Sequence, residues 1–281
     1  MKRYVQSARI MHPVMALAVL LLVLTACGSK SGSLAGNNGN AAAPSGSSGQ
    51  LEQVKQSGVL RVGTEGTYAP FTYHDASGKL TGFDVDIAQE VAKRLGAKAE
   101  FIETQWDGML AGLDAARFDT VFNEVSIRED RKQKYDFSDP YIVSKAVLIV
   151  RQDNQDIRKL ADLKGKKSGQ SLTSNLRDIA EKNGAEIVAV DGFNQAIDLL
   201  TSRRIDATIN DNLSYLDAKK QRPDLPLKVV AETENASQSA ALFKKGSTEL
   251  VKAVNQALAD MKSDGTYLKI SKAYFNQDVS K

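Results

Sequence analysis

Three side chains stand where they could bind a small charged molecule. Arg131 follows the polar segment 123–127, and an arginine there can hold a carboxylate through two parallel hydrogen bonds. Asp211 follows an apolar strand pattern and could hold an ammonium group. Trp106, the single tryptophan of the sequence, could stack its flat ring on a ligand. Together these groups predict a receptor for a zwitterion, built without a nucleophile or a general base.

Each of these residues also has an ordinary structural interpretation. The loop 65–71, which contains Tyr68, follows a predicted strand and is either the wall of a pocket or a packed turn. Trp106 is equally compatible with a core position, and Arg131 with a solvated charged helix. Asp211 suits a helix N-cap, and an N-cap carboxylate keeps lone pairs for a ligand, so its two roles can coexist.

The composition argues against the commonest catalytic chemistries. His12 and His74 are the two histidines and Cys27 is the one cysteine, so neither a zinc site nor a histidine-based triad is expected. The segment 165–168 lacks the upstream glycine of a phosphate-binding loop. After residue 26, no stretch of the sequence combines Lys and Arg with aromatic residues as a nucleic-acid-binding face would. We therefore expect no enzyme, no cofactor, no metal and no nucleic-acid partner.

The first residues have the order of an export signal. Lys2, Arg3 and Arg9 precede the apolar run 14–24, which is shorter than the roughly 20 residues that span a bilayer. The sequence L-T-A-C that ends at Cys27 resembles the bacterial lipobox, which implies cleavage of residues 1–26 and acylation of that cysteine, for example with palmitate. Cleavage would leave the chain without net charge, since the signal holds three of its positive charges and no acid. The alternative is a free cysteine in a helical anchor.

The rest of the chain divides into a tether and a folded body. Residues 27–50 are nearly all Gly, Ser, Asn and Ala and predict a flexible tether, with the body starting near residue 51. From there, apolar strand patterns alternate with helical ones: strands at 59–64, 99–103, 120–122, 146–150, 186–190, 207–209, 227–230 and 240–243, and helices at 84–95, 107–116, 174–183, 193–203, 212–220, 248–263 and 266–275. Such alternation predicts an α/β fold with parallel sheets in two lobes, and ligands bind beyond the carboxyl ends of such strands.

Several segments resemble the bacterial extracellular solute-binding proteins of family 3, which serve amino-acid ABC importers. The similar segments are VGTEGTYAPF (62–71), GKLTGFDVDIAQEVAKRLG (78–96), WDGMLAGL (106–113), SIREDRKQKYDFSDPY (126–141), LKGKKSGQSLTSN (163–175) and DGTYLKISKAYF (264–275). The resemblance implies the two-lobed binding-protein fold of type II, hinged at two chain crossings. It divides the chain into lobe 1, 51–143 and 237–281, and lobe 2, 146–231, with hinges near 143–145 and 232–236.

The resemblance also implies roles for individual residues. Arg131 would bind the ligand carboxylate together with the backbone of Ser126, and Asp211 would bind the ammonium group. Tyr68 and Trp106 would enclose the ligand side chain. A loop in the second lobe would contribute at a helix start, where a carboxylate is favoured; its residues are Thr173, Ser174 and Asn175.

Within the family, the cystine-binding branch is the most similar. The shared features are EGTY at 65–68, QWDGML at 105–110, the run 170–175, and three consecutive residues, Asn123, Glu124 and Val125. Cystine has two zwitterionic ends, so the extra polar groups of Glu65, Asn123 and Glu124 make physical sense. We therefore predict a binder of L-cystine, and of cysteine as a second ligand.

The resemblance leaves alternatives open. Glutamine, histidine or arginine could replace cystine, arginine because Glu65 and Glu124 are spare acids. Some proteins of this fold are cyclohexadienyl dehydratases, in which one of those acids would be a general acid. A sensor or adhesion lipoprotein is a third possibility. The implied partners are an ABC permease with its ATPase and the membrane, through lipid on Cys27, for a monomer outside the cytoplasm.

Overall fold

The computed structural model describes residues 49–281. The predicted signal peptide, Cys27 and the predicted tether up to residue 48 lie outside the described residues. Among residues 49–281, no helix is both long enough and apolar enough to cross a membrane.

Within the described part of the chain, the helices cover most of the predicted helical segments. Their bounds are α1 Gly49–Ser57, α2 Phe83–Arg94, α3 Trp106–Asp114, α4 Glu129–Lys134, α5 Asn175–Lys182, α6 Phe193–Thr201, α7 Asn212–Gln221, α8 Thr248–Ser263 and α9 Thr266–Phe275, with a 3₁₀ turn at Leu160–Leu163. Helix α1 begins inside the segment predicted as tether, so residues 49 and 50 are helical and belong to the body. Val54 is buried there and fixes α1 to the core of lobe 1.

Fifteen strands complete the described part of the chain. They are β1 Val59–Thr64, β2 Thr67–Tyr68, β3 Thr72–His74, β4 Leu80–Thr81, β5 Lys98–Glu103, β6 Thr120–Val121, β7 Tyr135–Phe137, β8 Ile142–Ser144, β9 Ala146–Arg151, β10 Lys167–Gln170, β11 Glu186–Ala189, β12 Ala207–Asp211, β13 Leu227–Glu232, β14 Ser237–Ser239 and β15 Leu242–Lys244. The single strand predicted at 240–243 is therefore wrong in detail, because two short strands, β14 and β15, occupy that region.

Two five-stranded sheets organise the body, in the orders β5-β1-β6-β15-β7 and β11-β10-β12-β9-β13. We call the parts built on them lobe 1 and lobe 2. The sheets are mixed, so the prediction of parallel sheets is wrong for β15, which runs antiparallel to β6 and β7, and for β9, which runs antiparallel to β12 and β13. Parallel neighbours need a helical crossover, whereas β9 and β15 enter their sheets directly from the connection between the lobes.

The sequence pattern of α2 explains how helices attach to these sheets. Ile87, Ala88, Val91 and Ala92 are fully buried on one face of the helix and pack in the core of lobe 1. Gly96 follows the helix in the left-handed conformation, with φ 77°, which ends the helix at little steric cost.

The lobes are joined by two neighbouring crossings of the chain. Strand β8, just before lobe 2, pairs antiparallel with β14, just after it, with Ser237 opposite Ser144 and Ser239 opposite Ile142. This two-stranded ribbon is separate from both large sheets. The carboxyl ends of β1, β6, β10 and β12 carry the residues of the cavity that lies between the lobes.

Candidate functional site

A cavity lies between the lobes. It receives side chains from both lobes. Seven of the predicted site residues line it: Glu65, Tyr68, Trp106, Asn123, Glu124, Ser174 and Asn175. The other residues lining it are Gly169, Gln170, Ser171, Leu176, Val190, Gly192, Phe193, Ala196, Thr208 and Asn210.

Glu124 is half-buried and presents its carboxylate to this cavity. It follows β6 in the left-handed backbone conformation, with φ 51°, and its N–H donates to the Asp84 Oδ2 atom at 2.5 Å. The Glu124 carboxylate accepts hydrogen bonds from Ser239 Oγ at 2.9 Å and from the Tyr68 hydroxyl at 3.3 Å. Burial, and then the negative charge of Asp211 nearby, raise the pKa of Glu124 well above its usual value. A cation placed here would relieve both effects.

Asp211 ends β12 and caps α7, so the N-cap interpretation of this residue agrees with the structure. Its Oδ1 atom accepts the N–H of Leu213 at 2.8 Å, and its other oxygen accepts the Ser144 hydroxyl. Burial raises the pKa of Asp211 to about 6. It lies next to the cavity rather than on its wall, so a ligand would meet Glu124 first.

Glu65 supplies a further acid, at the carboxyl end of β1. Its Oε2 atom accepts from Asn123 Nδ2 at 2.5 Å, while Asn123 Oδ1 accepts the Glu65 N–H at 2.8 Å. Burial raises the pKa of Glu65 to about 7, and the nearby charge of Asp107 adds to the shift. The paired amide of Asn123 therefore fixes the position of this carboxyl at the cavity wall.

Arg131 lies behind Trp106, beside the cavity, and is not among the residues that line it. It is only 4% exposed, so the interpretation as part of a solvated charged helix is wrong. Its guanidinium donates to the carbonyls of Ser126 at 3.1 Å and Thr173 at 3.3 Å, and its Cζ lies 5.2 Å from the centre of the Trp106 ring. Burial, with Arg128 nearby, lowers the pKa of Arg131 to about 10, which leaves it charged at neutral pH.

Trp106 combines the two roles that its sequence context allowed. Its ring packs on core residues such as Met109 and also lines the cavity. Its indole N–H is buried and has no hydrogen-bond partner among residues 49–281. A buried donor without a partner costs free energy, so a hydrogen-bond acceptor that reached this N–H would be favoured.

Three predicted residues occupy other surroundings. Val125 is fully buried in the core of lobe 1, and its carbonyl accepts the N–H of Ala240, so its side chain does not reach the cavity. Ser126 contributes its carbonyl to Arg131. Thr173 is exposed, and its hydroxyl donates to Asp107 Oδ1 at 2.8 Å instead of facing the cavity.

The sequence interpretation missed part of lobe 2. Asn210 lines the cavity, and its Oδ1 accepts the Tyr68 hydroxyl at 3.1 Å. Its position at the end of a strand beside Asp211 was a usable signal. Phe193, at the start of α6, also lines the cavity, but a phenylalanine there is indistinguishable by sequence from a core residue.

Direct contacts join the two lobes around the cavity. Ser214 of lobe 2 donates to the Ala69 carbonyl at 2.9 Å, and Arg128 of lobe 1 forms an ion pair with Asp178 at 2.7 Å. With the bond from Tyr68 to Asn210, these contacts describe a closed arrangement of the lobes.

Comparison with known sequences places this architecture in a family. Residues 60–277 match the bacterial extracellular solute-binding proteins, family 3, and the chain belongs to that family. The L-cystine-binding protein TcyA of Bacillus subtilis (strain 168) is 48% identical over 267 residues, which cover 94% of this chain and 97% of that protein.

Two solved structures are similar in fold. An ancestral arginine-binding protein bound to arginine has a TM-score of 0.74 at 40% identity, covering 78% of this chain and 98% of that one. The L-cystine solute receptor of Neisseria gonorrhoeae, in the unliganded open conformation, has a TM-score of 0.56 at 44% identity, covering 83% of this chain and 99% of that one. The more similar sequence thus has the less similar shape, as expected if the lobes are closed here.

Proposed function

We propose that this chain is the substrate-binding lipoprotein of an ABC amino-acid importer, and that it captures L-cystine, with cysteine as a second ligand, in the cavity between its lobes. The match of the family over residues 60–277 supports an extracytoplasmic binding protein. The identity to TcyA over nearly the whole of both chains supports the choice of cystine.

The observation that carries the proposal is the balance of charge at the cavity. Three acids lie at or beside it, Glu65 and Glu124 half-buried and Asp211 buried, and loss of solvent raises the pKa of each. One ammonium group would bind between Glu124 and Asp211, and a second near Glu65. Cystine has two ammonium groups, so it would neutralise both places at once.

The cystine carboxylates need donors, and the site has two groups of them. Arg131 would hold one carboxylate, with the free indole N–H of Trp106 beside it. The start of α5, with Ser174 and Asn175 at the cavity, would hold the other, because backbone N–H groups at a helix N-terminus favour an anion.

A second candidate ligand is a basic amino acid such as arginine. Arginine carries two cations and one carboxylate, which fits three acids and one guanidinium, and the ancestral arginine-binding protein is similar in structure. The two candidates differ at the start of α5, because only cystine has a second carboxylate that could bind there. Glutamine and histidine lack a comparable match to the acids. A dehydratase would need one of the same acids as a proton donor to a cyclic substrate.

Calorimetric titration tests the proposal. Purified protein, freed of bound ligand by reversible unfolding, would be titrated with L-cystine, cysteine, arginine, histidine and glutamine. We expect cystine to bind most tightly, in the micromolar range or below, which corresponds to about −8 kcal/mol or more favourable. Tight binding of arginine without a cystine signal would refute the choice of ligand. Turnover of a prephenate-like substrate would refute the class.

We further propose that the chain is anchored through Cys27 and that the lobes move about hinges at 143–145 and 232–236, between lobe 1 (51–143 and 237–281) and lobe 2 (146–231). The anchor, the monomeric state and the permease with its ATPase follow from the sequence resemblance. Mass spectrometry of the protein from membranes should find an acylated N-terminal cysteine, and a Cys27→Ala variant should be released from the membrane.

A further inference from the structure

The loop before α5 is held by lobe 1 at atoms that do not face the cavity. The Leu172 N–H donates to Asp107 Oδ2 at 3.1 Å, and the Thr173 N–H and hydroxyl donate to Asp107 Oδ1 at 2.9 and 2.8 Å. The Thr173 carbonyl accepts from Arg131 at 3.3 Å. Both oxygens of one carboxylate are therefore used by two consecutive residues of the other lobe.

The position of Asp107 explains why it can act on closure. It lies in the first turn of α3, in lobe 1, directly after Trp106. Its partners precede α5 in lobe 2, and Leu172 is 48% exposed. None of these three residues lines the cavity, although their neighbours Trp106 and Ser174 do. The carboxylate therefore contacts the opposite lobe at the rim, not the ligand.

We propose that Asp107 and residues 172–173 form a closure latch, which holds the lobes together over a captured amino acid and sets how long that ligand stays. The inference rests on the proposed function only in that some amino acid is captured by closure. Asp107 acts as a positioning residue. Its three hydrogen bonds exist only when the lobes meet, so they stabilise the closed form alone. Hydrogen bonds to an ionised carboxylate are about twice as strong as neutral ones.

The latch differs from the other contact at the same end of α5. Arg128 pairs with Asp178 at 2.7 Å across the lobes, but it also pairs with Asp130 of its own lobe at 2.9 Å. Opening would leave Arg128 with that second partner, whereas Asp107 has no other hydrogen-bond or ion-pair partner within 49–281. We therefore expect Asp107 to affect ligand release more than Arg128 does.

Stopped-flow fluorescence of Trp106 with L-cystine, and in parallel with L-arginine, measures the rates. We expect Asp107→Ala to raise the dissociation rate about tenfold, and by the same factor for each ligand that binds. The association rate should change less than about twofold. Thr173→Val, which removes the hydroxyl, should raise the dissociation rate about threefold. Thr173→Ser should behave as wild type. The double variant Asp107→Ala with Thr173→Val should match Asp107→Ala, since without the carboxylate the Thr173 hydroxyl has no acceptor to lose.

Asp224→Asn is the matched control, because the Asp224 side chain makes no hydrogen bond or ion pair within residues 49–281 and lies away from the cavity. An unchanged dissociation rate in Asp107→Ala would overturn the latch, as would additive effects in the double variant. Absence of any cystine signal in wild type would instead refute the proposed ligand.

Hydrogen exchange of the Leu172 and Thr173 amides, in protein as purified, tests the latch without an added ligand. Faster exchange in Asp107→Ala than in Asp224→Asn supports it, and equal exchange contradicts it.

Discussion

The two lobes contribute different kinds of group to the same cavity. Lobe 1 brings two acids, Glu65 and Glu124, and the rings of Tyr68 and Trp106, with Arg131 behind Trp106. Lobe 2 lines the cavity with uncharged groups, polar and apolar, while its buried acid here, Asp211, lies behind the wall and caps α7. On the proposed function, we expect lobe 1 to select the ligand by charge and lobe 2 to exclude water and complete the hydrogen bonds. Five predictions test this comparison.

The largest effect is expected from the cation of lobe 1. Arg131→Ala should weaken binding of every amino acid by at least about a hundredfold, because a buried carboxylate would lose its partner. Calorimetry measures the loss, and circular dichroism controls for the fold. Arg131→Lys should lie in between, since an ammonium group lacks the paired donors of a guanidinium. Wild-type affinity in the alanine variant would show that lobe 1 does not select by this charge.

Replacement of Glu124, in lobe 1, should have opposite effects on ligand binding and on the stability of the ligand-free protein. Glu124→Gln should weaken binding by about tenfold or more, because a charge-assisted bond to the ligand ammonium is lost. The same change should raise the melting temperature of the ligand-free protein, because it removes an acid that burial and Asp211 keep from ionising, and with it the cost of taking up a proton on folding at neutral pH. Thermal unfolding with and without ligand measures both. A fall in melting temperature without ligand would show that the ionised acid stabilises the fold.

A change of pH should also move ligand affinity and ligand-free stability in opposite directions. With pKa values of about 7 for Glu65 and about 6 for Asp211, the folded protein binds protons between pH 4 and 7 that the unfolded chain has released. Its ligand-free stability should therefore increase as pH falls from 8 to 5.5. Affinity should fall over the same window, by about tenfold, because the ligand ammonium must displace those protons. Parallel changes of stability and affinity would contradict this interpretation.

Trp106 should matter for selectivity more than for affinity. Trp106→Ala should weaken binding by about tenfold, from lost stacking and packing, and narrow the difference between cystine and other amino acids. Trp106→Phe keeps an aromatic ring and removes the buried N–H together with part of the indole, so its loss of affinity is an upper limit for the bond proposed to a ligand carboxylate. If Trp106→Phe binds all ligands as wild type does, the indole N–H takes no part.

The smallest effect is expected from lobe 2. Ser174 caps α5 by accepting the N–H groups of Leu176 at 3.1 Å and Arg177 at 3.2 Å. Ser174→Ala should cost about 1 kcal/mol of stability through the lost cap and weaken binding no more than about threefold. Unfolding and titration of the same sample measure the two effects. A loss of binding as large as that of Arg131→Ala would remove the distinction between the lobes.

The sequence predicted the order of helices and strands well where the patterns were long. The apolar face of α2 has a clear helical period, and β1 and β9 are short apolar runs of strand length. Strand direction was predicted less well, since it depends on which connection enters each sheet. The two-residue strands β2 and β4 are too short to carry a period and were not predicted.

The site was predictable where chemistry depends on residue type. Arg131, Asp211 and Glu65 are charged residues close to predicted strand ends, where a ligand is expected. All three lie at or beside the cavity. Asp107 and Thr173 were beyond such reasoning. Their contact depends on how two lobes meet, over a separation of 66 residues, and an exposed acid at a helix start has an ordinary local explanation.

The pairing of β15 in lobe 1 has a consequence for the order of folding. Leu242 pairs with Val121 in the middle of the first sheet, whereas lobe 2 draws its whole sheet from β9 to β13, one continuous stretch. A chain that emerges from its N-terminus during export holds the complete sequence of lobe 2 before β15 arrives. Lobe 1 must then close a loop of more than a hundred residues, which is entropically slow. We therefore expect its exposed β6 edge to need protection until export ends.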